Sequence, residues 1–231
     1  MIKAVFFDLY HTLVGYDPPR EETLAATLER EGHPVSHKQL RRPLVAADEF
    51  FYRETSKKAL KDRDEAETRS LWGAYHEVVL KEAGIAPTEA LVGRIIEEMR
   101  KARYELKLFS DVLPALGELT GRGLTLGLIS NADRDISPLL EKLGVLSFLK
   151  VRLTSQEAGA SKPNPVIFRK GAERLGVSPA ESLYVGDQWV VDVQGARGAG
   201  MKALLLDRGG YFEEVPQSEK ISSLLDLSGR I

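Results

Sequence analysis

The sequence predicts an α/β fold, a doubly wound parallel sheet interrupted after its first strand by an α-helical insert. Three observations predict it. Residues 3–9 form a short, nearly continuous apolar run, the pattern of a strand covered on both faces. From about residue 18 to 107 the chain has helical period, is rich in Glu, Arg, Lys, Ala and Leu, and contains no convincing strand. From residue 111 onward helical and strand-like segments alternate, as the crossovers of a parallel sheet require.

The elements follow in order. Helices are expected over 20–31, 36–60, 64–83 and 88–106, with Ser36 and Thr88 as N-caps and Gly32 and Gly84 as stops. Beyond them come a helix at 111–120, a strand at 124–130, a helix at 133–143, a strand near 151–154 and a helix at 165–175. A strand at 183–185, a helix through 190–198, a strand at 203–206 and a final helix near 218–227 complete the pattern. The first strand belongs to the same sheet, so residues 1–15 and 108–231 are expected to form one core and 16–107 a separate helical domain. A chain of 231 residues is long enough for both.

Composition narrows the partners. A formal net charge of -2 supplies no global field that would hold nucleic acid or an anionic membrane, so the expected partner is a small molecule bound at a local site. There is no cysteine, which removes thiolate nucleophiles, thiolate metal sites and disulfides. The four histidines, His11, His33, His37 and His76, lack metal-ligand spacing. No apolar run approaches the roughly 20 residues of a membrane span. The N-terminus lacks the regions of a signal peptide, and a cytoplasmic location is expected. The expected assembly is a monomer or homodimer.

In a doubly wound sheet, the loops leaving the C-terminal ends of the strands converge on one crevice. Asp8, Tyr10, His11 and Thr12 leave the first strand, and Ser130 and Asn131 leave the second. Lys162 follows the third, and Gly186 and Asp187, with Asp192 five residues on, follow the fourth. Each alone reads as turn, cap or solvated-charge chemistry; their joint occurrence at successive strand ends points to a site. Asp8 and Asp187 brought together would repel, and a hard cation such as Mg²⁺ would relieve that repulsion. Asp192 is placed to orient a metal-bound water. Thr12, Ser130 and helix-start N–H groups suit an anion's oxygens, and Lys162 supplies a compact positive charge. A carboxylate beside a metal-neutralised phosphoryl group is a nucleophile for it.

Asp8-Leu9-Tyr10-His11-Thr12, Ser130, Lys162 and Gly186-Asp187 with Asp192 resemble the four motifs of the haloacid dehalogenase superfamily, in chain order. The resemblance implies a Rossmann-like core, Asp8 as nucleophile, and a cap domain built by the helical insert. It implies Mg²⁺ held by the Asp8 carboxylate, the main-chain carbonyl of Tyr10 and Asp187, with Asp192 close by. The resemblance divides on substrate. Phosphatases of the superfamily carry Asp-x-Asp-Gly-Thr, whose second Asp protonates the leaving alcohol; Tyr10 stands there, and His11 replaces the glycine. L-2-haloacid dehalogenases carry Asp-x-Tyr-Gly-Thr, because a departing halide needs no proton, but they lack the acidic fourth motif kept here.

Three functions are therefore weighed. The first is a Mg²⁺-dependent phosphatase of a small phosphorylated metabolite, acting through an aspartyl phosphate, with His11 or Tyr10 replacing the missing acid or a good leaving group making it unnecessary. The second is metal-independent dehalogenation of a haloacid, with Arg41, Arg42 and Arg53 as candidate anchors for its carboxylate or halide. The third is a binding or regulatory protein that has lost activity. Asn131 and Trp189 are further candidates for substrate contact, while Phe50, Phe51, Tyr52, Trp72 and Tyr75 read first as the core of the insert.

Overall fold

The computed structural model describes residues 1–231. The chain opens with strands β1 (Ala4–Phe7) and β2 (Val14–Asp17), followed by helices α1 (Arg20–Arg30), α2 (His37–Lys57), α3 (Glu65–Glu82) and α4 (Glu89–Lys101). Then come β3 (Glu105–Leu108), α5 (Val112–Gly121), β4 (Thr125–Ser130), α6 (Ser137–Lys142), β5 (Leu149–Thr154), α7 (Ser155–Ala158) and α8 (Pro165–Leu175). Strand β6 (Ser182–Gly186), α9 (Gly195–Gly198), β7 (Lys202–Leu206) and β8 (Lys220–Ile221) close the order. Two compact units result, one of Met1–Gly15 with Lys107–Ile231 and one of Tyr16–Leu106. No helix is long and apolar enough to cross a membrane.

The first unit is a Rossmann-like α/β layer structure. Its sheet runs β5-β4-β1-β6-β7-β8, and every pairing is parallel. Strand β1 is buried along its whole length because it has a neighbour on each side and helices over both faces. In register, Phe7 lies between Leu128 of β4 and Val185 of β6. The strand order reverses at β1, so the ends of β1, β4 and β6 meet at the switch point, where open α/β sheets bind ligands.

The second unit has its own apolar core. Leu24 and Leu28 of α1, Leu40 and Leu44 of α2, Tyr75, Val79 and Leu80 of α3, and Leu91 and Ile95 of α4 make one cluster. The caps formed as the residue types require. Ser36 accepts from Gln39 N, Asp64 from Glu67 N and Thr88 from Leu91 N, each worth about 1 kcal/mol to its helix. Phe51 stacks on Trp72 at 4.9 Å, and Tyr75 is buried. Arg20 reaches Asp48 with two bonds, 3.0 and 2.6 Å, and Tyr75 donates to the same carboxylate at 2.9 Å. A buried charge pair needs this degree of satisfaction.

Four expectations are corrected. The insert is not wholly helical: α4 stops at Lys101, and β2 pairs with β3 as a separate two-stranded sheet. At four residues each, these strands are too short to stand out against the helical pattern around them. The helix expected at 133–143 begins only at Ser137, whose N–H is held by the Asp135 side chain. The helix through 190–198 opens as a wide π turn, Trp189–Gln194, and only Gly195–Gly198 is α-helical. The final helix is replaced by the short strand β8, with Ile221 beside Leu206, and by a 3₁₀ turn. There the Asp226 carboxylate takes the N–H groups of Ser222 and Ser223, drawing the backbone away from a continuous helix.

His76 on α3 is 5% exposed, and its Nδ1 meets no hydrogen-bond partner. Burial, aided by the Arg20 charge, pushes its pKa down to about 4. The unfolded chain takes up this proton near pH 6.5, so the stability gained by keeping the ring neutral is present above that pH and is lost as pH falls toward 4. The loss should be on the order of 2–3 kcal/mol. Urea unfolding of His76→Phe should therefore decline less between pH 7 and 4.5 than unfolding of the parent; an equal decline would contradict the assignment.

Candidate active site

The site grows from the end of β1. The N–H of Asp8 donates to Val185 O at 3.0 Å, continuing the ladder one residue past the strand and fixing the carboxyl at the switch point. The loop then folds back on itself: Leu13 N and Val14 N both donate to Leu9 O, at 2.9 and 3.0 Å, and His11 N donates to Val14 O at 2.7 Å. His11 has φ 58°, the left-handed region that favours glycine, so its side chain costs on the order of 1 kcal/mol there. Thr12 is fully buried and its Oγ1 lies 3.5 Å from Asp187 Oδ1, toward which it donates.

Lys162 is the hub. It is 2% exposed, and its ammonium donates to Asp8 Oδ1 at 2.6 Å, Asp192 Oδ1 at 2.6 Å and the Tyr184 hydroxyl at 3.0 Å. All three N–H donors are used. Its backbone is clamped by Asn131, whose amide accepts from Lys162 N at 2.7 Å and donates to Lys162 O at 3.0 Å. Asp192 is aimed back at the sheet by the π turn, and its second oxygen takes Gln188 N at 3.0 Å. Gly186 makes room for it, since a Cβ there would overlap the Asp192 carboxyl. Gln188 Nε2 donates to Asp187 Oδ2 at 3.0 Å.

The electrostatics follow. Burial pushes the Asp8 carboxyl up to about 6 against the pull of Lys162, with Asp192 adding to the rise. Burial disfavours the Lys162 ammonium, but Asp192 and Asp8 outweigh it and hold the pKa above the usual lysine range. At neutral pH Asp8 is thus an ionised carboxylate with a cation on one oxygen. One carboxylate oxygen from each of Asp8, Asp187 and Asp192 lies within 4.8 Å of the other two. Three carboxylates and one ammonium share this largely buried space, a donor set that could hold a metal ion. The oxygens of one octahedral Mg²⁺ shell lie at most about 4.2 Å apart, so the spread suits such an ion after small side-chain adjustments.

The core unit thus gathers Asp8, Thr12, Lys162, Asp187 and Asp192, with Ser130, 1% exposed, at the end of β4, beside β1 in the sheet. Tyr10 and His11 lie in the β1–β2 loop, and Trp189 opens the π turn with the Arg197 guanidinium 5.3 Å above its ring. Arg41, Arg42 and Arg53 belong to α2 of the helical unit, where Arg41 pairs with Glu21 at 3.0 Å. Tyr184 and Gln188 were not legible as site residues. A tyrosine inside the otherwise apolar β6 was the available signal, because a buried hydroxyl needs partners; here they are Lys162, Ile129 O at 3.0 Å and Asp192 at 3.3 Å.

A Rossmann-like sheet whose switch point gathers an acidic cluster around one lysine is a framework for hydrolysis. The chain belongs to the haloacid dehalogenase-like hydrolases, whose family model matches residues 2–200. The glyceraldehyde 3-phosphate phosphatase of Methanopyrus kandleri is 31% identical over 226 residues, covering 95% of this chain and 90% of that one. Among solved structures, a HAD phosphatase from Thermococcus onnurineus matches with a TM-score of 0.57 at 25% identity, over 99% of this chain and 97% of its own. A 2-haloacid dehalogenase from Pseudomonas syringae matches with a TM-score of 0.56 at 25% identity and the same coverage.

Removing Lys162 strands two buried carboxylates. Lys162→Met should cost about 3–5 kcal/mol at pH 8, and less below pH 6 as the Asp8 carboxyl becomes neutral. Urea titrations at the two pH values measure this, and a cost that does not shrink at low pH would contradict the bridging role.

Proposed function

We propose that the protein is a phosphatase of a small phosphorylated metabolite that uses Asp8 as nucleophile and Mg²⁺ as cofactor. The observation that carries this reading is the acidic cluster beside Lys162: Asp187 and Asp192 join Asp8 in a group that could hold a divalent cation, which a metal-independent dehalogenase has no need to keep. The relative from Methanopyrus kandleri, similar along nearly the whole chain, is named a phosphatase. Asp8 and Asp187, with the main-chain carbonyl of Tyr10, would hold the ion, because both oxygens of Asp192 are spent on Lys162 and Gln188. When bound, the ion would neutralise phosphoryl oxygens and the carboxylates that would otherwise repel them.

The chain's own residues do the rest. Lys162 holds Asp8 Oδ1 and keeps the carboxylate ionised and oriented. The nucleophilic oxygen attacks phosphorus, the bond to the leaving oxygen breaks, and an aspartyl phosphate forms; water then attacks phosphorus and returns the carboxylate and inorganic phosphate. Thr12 and Ser130 donate to phosphoryl oxygens. Asn131 serves by fixing Lys162, both ends of its amide being engaged on that backbone. The leaving alcohol's proton falls to His11 or Tyr10, or is dispensable when the leaving group is an acyl oxygen or another phosphate.

Tyr10 supports a second reading, 2-haloacid dehalogenation, in which Asp8 attacks carbon, halide departs without a proton, and water cleaves the resulting ester. The resemblance to the Pseudomonas syringae dehalogenase accords with it. A paired assay separates the two. Phosphate release with Mg²⁺ that is abolished by EDTA, and reduced at least about 10³-fold by Asp8→Asn, is expected; halide release from 2-chloropropionate in EDTA would replace the first reading by the second. His11→Gly relieves the left-handed backbone, so it should not lower the melting temperature. If His11 is the acid, that change should slow alkyl phosphates by about 10²–10⁴ and leave acyl phosphates nearly untouched; equal effects on both would remove His11 from that role.

A further inference from the structure

Outside the acidic cluster, the core unit contains a second, partly buried ion pair that touches the nucleophile loop from behind. Arg208, two residues past β7, donates to Asp111 with two bonds, Nη1 to Oδ2 at 2.8 Å and Nη2 to Oδ1 at 2.9 Å. The same Nη2 donates to the main-chain carbonyl of Thr12 at 2.8 Å. Asp111 is itself held by Ser223 Oγ and Leu224 N, both at 2.8 Å, so the C-terminal segment locks the pair in place. The guanidinium lies 4.1 Å from the centroid of Phe109. Phe109 N in turn donates to Leu13 O at 3.1 Å, and its ring fills the space above Gly15, where a Cβ would come within 2.9 Å of it.

Thr12, Leu13 and Leu9 are fully buried, so water cannot replace these bonds. From Arg208 a line of hydrogen bonds runs through the loop. The guanidinium polarises the carbonyl of residue 12, the N–H on the other side of that peptide, at Leu13, donates to Leu9 O, and Leu9 adjoins Asp8. Each bond in such a chain strengthens the next. The loop that carries Asp8 and Thr12 is therefore clamped on one side by the sheet and on the other by a charged donor from the loop after β7.

We propose that Arg208 is a positioning residue for the nucleophile loop: its guanidinium, bound bidentately by Asp111 and stacked on Phe109, holds the Thr12 carbonyl and with it the placement of Thr12 and Asp8. The proposal rests on the reading of Asp8 as nucleophile given above. It distinguishes Arg from Lys, because an ammonium is a single point donor and does not reproduce the planar fork that spans a carboxylate and a carbonyl together.

The test uses the full chain with Arg208→Lys and Arg208→Ala, each first shown to be folded by circular dichroism at the assay temperature. Hydrogen exchange of the 9–14 segment, followed by mass spectrometry, should be faster in both variants. With Mg²⁺ and a phosphate ester, kcat should fall about tenfold to a hundredfold, as misplacement by a fraction of an ångström allows, with KM little changed. Millimolar guanidinium should restore part of the rate of Arg208→Ala, and ammonium should not. Unchanged exchange at 9–14 overturns the proposal, as does faster exchange with unchanged kcat, or a rate loss that guanidinium does not relieve in a folded variant. If the parent turns over neither phosphate esters nor haloacids, the functional reading has failed; the exchange measurement still decides on Arg208, unchanged protection refuting it.

Discussion

Everything in the core unit that bears on chemistry depends on one buried ammonium. Lys162 joins a carboxylate from the end of β1 to a carboxylate from the turn after β6, both at 2.6 Å, and takes the Tyr184 hydroxyl as its third partner. Such a cation is costly to bury and is tolerated only when every donor is matched. The matching is supplied by parts far apart in the chain: Asp8 lies 154 residues from Lys162, and Asp192 lies 30. The sheet must therefore close in its observed order before the bridge can form. Once formed, it selects the ionised state of Asp8 and fixes which oxygen is covered.

The same arrangement divides labour among three carboxylates that look equivalent. Asp192 has both oxygens committed, to Lys162 and to Gln188 N, and acts as a brace. Asp187 takes a long bond from Thr12 and an amide bond from Gln188. Asp8 is held on one oxygen by Lys162. Burial makes this inequality matter, because in a low dielectric the position of each proton and donor decides which group can attack and which can only support. The three carboxylates together form a cluster of the kind that could hold a metal ion.

Much of this was legible in the sequence, for a physical reason. Strands buried on both faces are apolar along their length, so a charged residue at the end of such a run marks the end of a strand as well as a chemical group. Asp8, Ser130 and Asp187 are picked out that way, and the structure sets them at the ends of β1, β4 and β6. Asn131 was found too, but its part in clamping Lys162 was not, since an amide after a strand serves a cap, a backbone or a substrate equally well. Tyr184 was hidden inside an apolar run and Gln188 behind a generic polar identity. Arg208 and Asp111 are 97 residues apart and carry no spacing signal. At the edges of the helical insert and in the C-terminal turns, four-residue strands and serine-aspartate capping override the helical period of the sequence.

The most direct measurement of the central claim is to quench the protein in acid during turnover of a phosphate ester with Mg²⁺ and to map phosphorylated peptides by mass spectrometry. An acyl phosphate on the peptide that contains Asp8, absent from Asp8→Asn, is the predicted result. Phosphate on another residue, or turnover that persists in Asp8→Asn, would contradict the account.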